Sequence, residues 1–284
     1  MLKAAVAVVV GLGALAGPGA PPSSAAAPDA PPARQGQRIS LTLTSAGEAV
    51  TGDAVTFAGS ATKKLRGRKV RLLRSVGGGA WVEVGKARIQ RDRTFTIQGV
   101  ASGVGANAWQ VRAKTKPVKR NGRTVKKGRA VTSGIVQTTV LQWFFLSDRA
   151  WVDSKDEAGS YPFRGSMTSG GTAFTRSISF GSYTSAWDWE RASWAEYNLG
   201  YHCRRFEASI GISDTSATGT DATFFVSLDG ARRSVGRKVL GAPSPVGVDV
   251  AGVLSLRLEG VPNSQDRYGR GGFGDARVLC AAQP

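Results

Sequence analysis

A nucleophilic triad needs a histidine to move its proton, and the chain has one, His202. It sits beside Cys203, and no Gly-x-Ser-x-Gly elbow accompanies it. A metal site built on imidazole or thiolate wants several His or Cys ligands, which one His and two Cys cannot supply. Hydrolysis of a glycosidic bond asks for less, two carboxylates about 5 to 10 Å apart. Asp188, Glu190, Asp214, Asp221 and Asp266 offer such a pair, but so would any set of acids scattered over a β-sandwich. Binding a sugar asks for less still. An exposed aromatic ring stacks on the apolar C–H face of a pyranose, while Asp, Asn, Arg or backbone groups take its hydroxyls. The best cluster of that type is Tyr183, Trp187, Asp188, Trp189, Glu190, Arg191 and Trp194, whose competing reading is a cover over a sheet end or the domain junction. A second cluster is Asp266, Arg267, Tyr268, Arg270 and Phe273, read as a mobile surface loop because Gly269, Gly271, Gly272 and Gly274 run through it. Asp214 and Asp229 read most simply as turn residues.

Charge is distributed unevenly. The 284 residues carry a formal net charge of +18. Residues 38–142 hold 21 Lys and Arg against 4 Asp and Glu, whereas residues 143–284 hold 15 of each. Two halves with such different balances are expected to meet different partners. Between residues 112 and 129 the cations Arg112, Lys114, Lys116, Lys119, Arg120, Arg123, Lys126, Lys127 and Arg129 occur with no acid among them. Like charges at that density repel one another unless something neutralises them, so the first eight are expected to grip a polyanion; the bland alternative is a solvated face. Nucleic acid is not favoured as that polyanion, because no RRM, KH, zinc-finger or helix-turn-helix pattern is present.

The elements that must position these residues are strands. In residues 38–142 the alternation of Arg38–Leu43, Val55 and Phe57, Val70 and Leu72, Trp81–Val84, Phe95 and Ile97, Trp109–Ala113 and Val136–Val140 predicts about seven short strands. Gly52-Asp53, Gly77-Gly78-Gly79, Arg91-Asp92-Arg93 and Asn121-Gly122 are the turns between them. That size and spacing suits an immunoglobulin-like sandwich, here without cysteine. Trp109, Val111 and Ala113 form the inward face, so Arg112, Lys114 and Lys116 line the outward one, and Asn121-Gly122 sets Lys119, Arg120 and Arg123 at a hairpin tip. In the second half, Thr223–Leu228, Asp229-Gly230 and Ala231–Val235 read as a hairpin. Ala195, Tyr197 and Leu199, and Phe206, Ala208 and Ile210, read as inward sets, which turns Trp194 away from the core. A second all-β sandwich follows.

Ahead of both lies a short basic start at Lys3, an apolar run from Ala4 to about Ala16, helix breakers Gly17, Pro18 and Gly19, and an Ala25-Ala26-Ala27 cleavage pattern. This predicts a signal peptide over residues 1–27 and a Pro/Ala linker over residues 28–37. In a secreted chain with two cysteines, Cys203 and Cys280 are expected to form a disulfide.

Six stretches of the second half occur in a family's order: Phe145-Leu146-Ser147-Asp148, Ala195–Gly200, Arg205–Asp214, Phe225–Gly230, Val248–Gly252 and Leu254–Leu258. On them, residues from about Trp143 to Cys280 resemble the NPCBM family. That resemblance implies a galactose-binding-like jelly roll and non-catalytic carbohydrate binding. Some members carry a Gly-x-x-Thr-His-Ala stretch where this chain has Thr184-Ser185-Ala186-Trp187-Asp188-Trp189, so ligand identity does not carry over. The first half is similar, more loosely, to the Ig-like repeats of bacterial secreted proteins, in Val55–Gly59, Arg68–Leu72 and Trp81 with Val84.

The expectation is thus an all-β, secreted or cell-surface, non-enzymatic protein. A basic Ig-like domain over 38–142 would attach to an anionic polymer, and a jelly-roll domain over 143–284 would bind a glycan or wall polysaccharide. The site residues expected for the glycan are Tyr183, Trp187, Asp188, Trp189, Trp194, Tyr268 and Arg270. No cofactor is expected, with a jelly-roll calcium left open. Two alternatives stand beside it: an adhesin for wall polymer or nucleic acid that uses only the basic domain, and a secreted glycosidase.

Overall fold

The computed structural model describes residues 38–40, 42–44, 47–155, 162–181, 192–263 and 268–284. The expected signal peptide and linker lie outside them. In the first half, β1 (Thr42–Leu43), β3 (Ala54–Ser60) and β6 (Thr94–Val100) make one sheet. The facing sheet is built from β2 (Glu48–Val50), β4 (Lys69–Val76), β5 (Val82–Arg88), β7 (Gly105–Lys114), β10 (Ala130–Thr132) and β11 (Val136–Phe145). Its order is β5-β4-β7-β11-β2, with β10 alongside the end of β7. The alternation read from the sequence is the packing pattern: Val55, Phe57, Val70, Leu72, Phe95, Ile97, Trp109, Val111 and Ala113 close one core between the two sheets. Phe57 meets Trp109 across that core at a ring separation of 5.1 Å, and the indole N–H, which burial would otherwise strand, donates to Thr138 Oγ1 at 2.9 Å. Between β7 and β10 the chain makes an excursion, the hairpin β8 (Val118–Arg120) and β9 (Arg123–Lys126). Its turn is Asn121-Gly122 with φ of 50° and 77°, both in the left-handed region that a two-residue hairpin turn of this type requires.

The second half is a sandwich of two five-stranded layers. The back layer runs β12 (Asp153–Lys155), β15 (Ser193–Asn198), β20 (Ser255–Pro262), β17 (Asp221–Leu228), β18 (Ala231–Val239). In the front layer β21 (Arg270–Cys280) is central. Along one edge it pairs with β16 (Cys203–Ile212), which in turn pairs with β19 (Ser244–Asp249); its other edge meets β14 (Thr172–Gly181), beyond which lies β13 (Phe163–Ser169). Phe180, Tyr197, Phe206, Phe224, Leu256, Leu258 and Phe273 fill the space between the layers, with Phe273 packed edge-on against Phe180, Phe206 and Phe224. Opposed residues Cys203 and Cys280 form a disulfide across β16 and β21. The all-β architecture expected from the sequence is the architecture observed.

One expectation is overturned. The glycine-rich stretch from Arg270 to Gly274 is not a mobile surface loop but the first part of β21, with Gly271, Gly272, Phe273 and Gly274 buried. Its glycines answer to close packing. A Cβ on Gly272 would stand 2.3 Å from the Ile178 carbonyl oxygen, and one on Gly274 would stand 2.5 Å from the Phe174 ring.

The two cores share a strand. Residues Val136–Val140 of β11 pair with β7, and Gln142–Phe145 pair with the end of β21, so a single ten-residue strand crosses the boundary expected between residues 142 and 143. Residues 37–284 form one compact unit. Among the described residues no helix is long and apolar enough to cross a membrane.

Candidate functional site

On the front layer of the second half, the residues that do not face the core line a groove. Along β16, Phe206, Ala208 and Ile210 point inward, which turns Arg205, Glu207 and Ser209 outward. Register then aligns a row across three strands: Phe145 of β11, Arg277 of β21 and Glu207 of β16, with Gly247 of β19 opposite Glu207. Glu207 joins two guanidinium groups, receiving Arg277 Nη2 at 2.8 Å and pairing with Arg205 Nε at 2.9 Å. Arg277 also lies over the Trp143 ring at 4.3 Å, and Arg176 over the Phe145 ring at 4.6 Å. A bulge opposite Ala208, where β21 spends Asp275 and Ala276 against one residue, bends the strand. Asp275 takes φ 47° there, and its carboxylate accepts the Arg176 N–H at 3.0 Å. Gly247 and Gly274 leave the floor low. Two adjoining hollows of about 650 and 520 Å³ result; the first is lined by Phe145, Phe174, Glu207, Gly247 and Arg277 among others, and the second reaches Leu141, Arg204 and Glu48, which is paired with Arg204 at 3.0 Å.

This groove can recognise vicinal hydroxyls. Each guanidinium has five N–H donors and the carboxylate about four acceptor positions, more than the Arg205–Glu207–Arg277 chain itself uses. Phe145 and Phe174 add apolar walls.

A second surface lies on the outer face of the first half. Arg112, Lys114, Lys116, Lys119, Arg120, Arg123, Lys126 and Lys127 are all exposed, as expected, and among the described residues none of them has an acidic partner. The sheet adds cations that sequence distance hides. Lys86, Arg71 and Arg112 form one row across β5, β4 and β7, and Arg88 and Lys69 form the next, with Lys114 beside Lys69. Lys69, Arg71, Arg88, Arg112 and Lys114 line a hollow of about 480 Å³ in which the acid is Glu83. Lys86 and Arg71, at 3.2 and 2.8 Å, hold that carboxyl below its ordinary range. Lys116, Lys126, Lys127 and Arg129 line a further hollow with Lys64. The alternation of Lys69 and Arg71 about Val70, and of Lys86 and Arg88 about Ala87, was the signal for these residues.

Of the expected glycan residues, Tyr183, Trp187, Asp188 and Trp189 lie outside the described residues, as do Glu190, Arg191, Asp266 and Arg267. Trp194 does face away from the core, on the back layer, where Arg257 stacks on its ring at 3.8 Å. Arg270 is a strut: its Nε and Nη2 donate to Ser179 Oγ at 2.8 and 2.5 Å, its guanidinium lies 5.0 Å from the Phe163 ring, and burial lowers its pKa. The Tyr268 carbonyl accepts Ala217 N–H at 2.9 Å, tying that residue to the loop after β16. Neither of the two described acids weighed for hydrolysis is free for it. Asp214 accepts the N–H groups of Gly170 and Gly171 at 2.7 and 3.0 Å, and Asp221 is held by Arg237 and Asn263. Among the described residues no cluster of three or more His, Cys, Asp or Glu is placed to hold a metal ion.

Residues 144–279, the span of the second sandwich, match the family model of the NPCBM/NEW2 domain. No curated protein matches the chain.

Proposed function

We propose that this is a secreted, non-catalytic glycan-binding protein whose second sandwich holds a sugar in the front-layer groove, while the basic first sandwich attaches it to an anionic surface. The observation that carries the reading is the groove itself. The Arg205–Glu207–Arg277 chain presents hydrogen-bonding groups beside the Phe145 ring on a floor kept low by Gly247, within residues that match the NPCBM/NEW2 carbohydrate-binding family. The Cys203–Cys280 disulfide favours an oxidising, extracellular setting. The competing location for the sugar is the cluster expected from the sequence, of which Trp194, Tyr268 and Arg270 are described.

A glycan array probed with the full chain tests this. Gly247→Phe fills the groove from an exposed edge strand, where even a Cβ meets nothing closer than Arg205 Nη2 at 3.5 Å, so folding is retained. Loss of array binding in G247F with its melting temperature unchanged supports the groove. Unchanged binding in G247F, with loss in W194A, moves the site to the back layer. A second reading, an adhesin that uses only the basic face, is favoured by the unneutralised Arg112; its mark is retention on anionic polymer with silence across the array.

A further inference from the structure

Building on the groove as the sugar site, we infer that the groove and the basic face form one continuous track for a single anionic polysaccharide chain, rather than two sites for two partners.

The shared strand carries the argument. Side chains alternate along β11, and Val140 enters the first core while Phe144 enters the second. Both are even-numbered, so both cores lie on the same side of this strand. Leu141, Trp143 and Phe145 therefore share the opposite face. In register with that face are Arg112 and Lys114 of β7 and Arg71 and Lys69 of β4, as well as Arg277 of β21 and Arg205 and Glu207 of β16.

The two patches are also in line. Val140 is opposite Gly105 at the start of β7, and Gln142 is opposite Cys280 at the end of β21. A Cβ on Gly105 would stand 3.2 Å from the Ala281 carbonyl oxygen, so the two strands meet end to end along β11. Counting residue steps from Arg112 down β7 and on to Arg277 gives a path of roughly 40 Å. The floor between carries Gln110, Ala108 and Ala106 on β7, with Gln137 and Thr139 beside them on β11. The carboxylate that borders it, Glu48 of β2 opposite Thr139, is paired with Arg204 at 3.0 Å.

Charge names the class of occupant. Arg71 and Arg112 oppose each other, and Arg112 has no acidic partner among the described residues. The groove is balanced in charge, with Glu207 serving Arg205 and Arg277, Glu48 paired with Arg204, and Asp275 and Asp249 also on its lining, so it reads hydroxyls while the cation rows take the anionic groups. A polymer with both sugar hydroxyls and regularly spaced anionic groups satisfies the hydroxyl-reading groove and the cation rows at once. Its second contact becomes intramolecular once the first is made.

The test uses the full chain and heparin fragments of graded length, which carry both sulfate and carboxylate. Affinity should step up by about tenfold or more once fragments exceed the span, because short fragments engage one patch at a time. The paired substitution R71Q/R112Q, which relieves repulsion and so keeps the fold, should remove the step, and so should G247F. Raised salt should shrink it. Affinity that grows smoothly with length, or a step that survives either variant, overturns the single track. If the step is absent while G247F still abolishes binding on the glycan array, the groove stands and only the track falls. If G247F leaves the array unchanged, the groove reading itself has failed.

Discussion

Arg71 and Arg112 stand directly opposite each other on β4 and β7, two guanidinium groups on one solvent-facing side of a sheet. Like charges in directly opposed positions destabilise a sheet pair, and here only Arg71 is relieved, by Glu83 at 2.8 Å. A ligand anion would relieve the other. Arg112→Glu is therefore expected to raise the melting temperature at low salt, by about 1–3 °C, while weakening retention on an anionic polymer. A melting temperature that falls would mean the opposed pair is not under repulsion.

The disulfide ties β16, the third strand of the front layer in sequence, to β21, its last, across 77 residues. Both cysteines are fully buried, so the bond is shielded from reductant in the folded state. C203A/C280A should lose about 4 kcal/mol, from the loop-closure entropy returned to the unfolded chain. Denaturant unfolding of the variant against the oxidised protein measures it. A difference under about 1 kcal/mol would mean that the β16–β21 ladder alone constrains the unfolded ensemble.

Two partly buried carboxylates of the back layer contribute to the acid limb of stability. Ser255 Oγ–H, and then Arg257 at 2.9 Å, hold Glu196 below its ordinary pKa; Arg237, and then Asn263 at 3.0 Å, do the same for Asp221. A depressed carboxylate contributes stability that is full above its unfolded pKa and is lost as pH falls through the folded value. Melting temperature should thus be flat near neutrality and decline below about pH 4.5, the ordinary glutamate value. E196Q/D221N should melt lower at pH 7 and show a shallower decline; an acid limb of unchanged slope would exclude these two groups as its source.

Much of this architecture is legible in the sequence because alternation is a local signal. Trp109, Val111 and Ala113, then Ala195, Tyr197 and Leu199, point inward as their spacing requires, and Asn121-Gly122 and Asp229-Gly230 both take the two positive φ values that their composition invites. What could not be read are relations across strands. Lys69, Arg71 and Arg88 join Arg112 and Lys114 only through register, and Phe145, Glu207, Gly247 and Arg277, spread over 133 positions, meet for the same reason. The shared strand was hidden too, since Gln142 and Trp143 carry no break in the alternation to mark where one core hands over to the next.

The misread glycines yield a test of their own. Glycine in a strand signals either a weak segment or a close approach, and composition alone does not separate them. At Gly272 the approach is to backbone, Ile178 O and Ser179 Cα at 2.3 and 2.6 Å from a built Cβ, where no side chain can swing aside. G272A should cost about 1–3 kcal/mol or more through overpacking of the β14–β21 pair. Wild-type stability in G272A would restore the reading of that stretch as a yielding surface loop.

Trp143 and Trp194 make a matched pair for locating the sugar. Each is partly buried, each lies on the outer face of a sheet, and each has an arginine over its ring, Arg277 at 4.3 Å and Arg257 at 3.8 Å. Removing either ring costs a cation–π contact, so both W143A and W194A should show similar small losses of stability, about 1 kcal/mol. Their surroundings differ. Arg277 continues through Glu207 to Arg205 along the floor of a hollow of about 650 Å³, whereas Arg257 is engaged in a direct pair with Glu196, with Ser255 completing that carboxylate. A sugar in the groove would draw on the spare donors of Arg277, which rests on the Trp143 ring. W143A should therefore weaken glycan binding by about tenfold, through the loosening of the arginine above that ring. W194A should leave that affinity within about twofold. Equal losses in the two variants would point to a general effect of stability on binding, and the reverse order would put the sugar on the back layer.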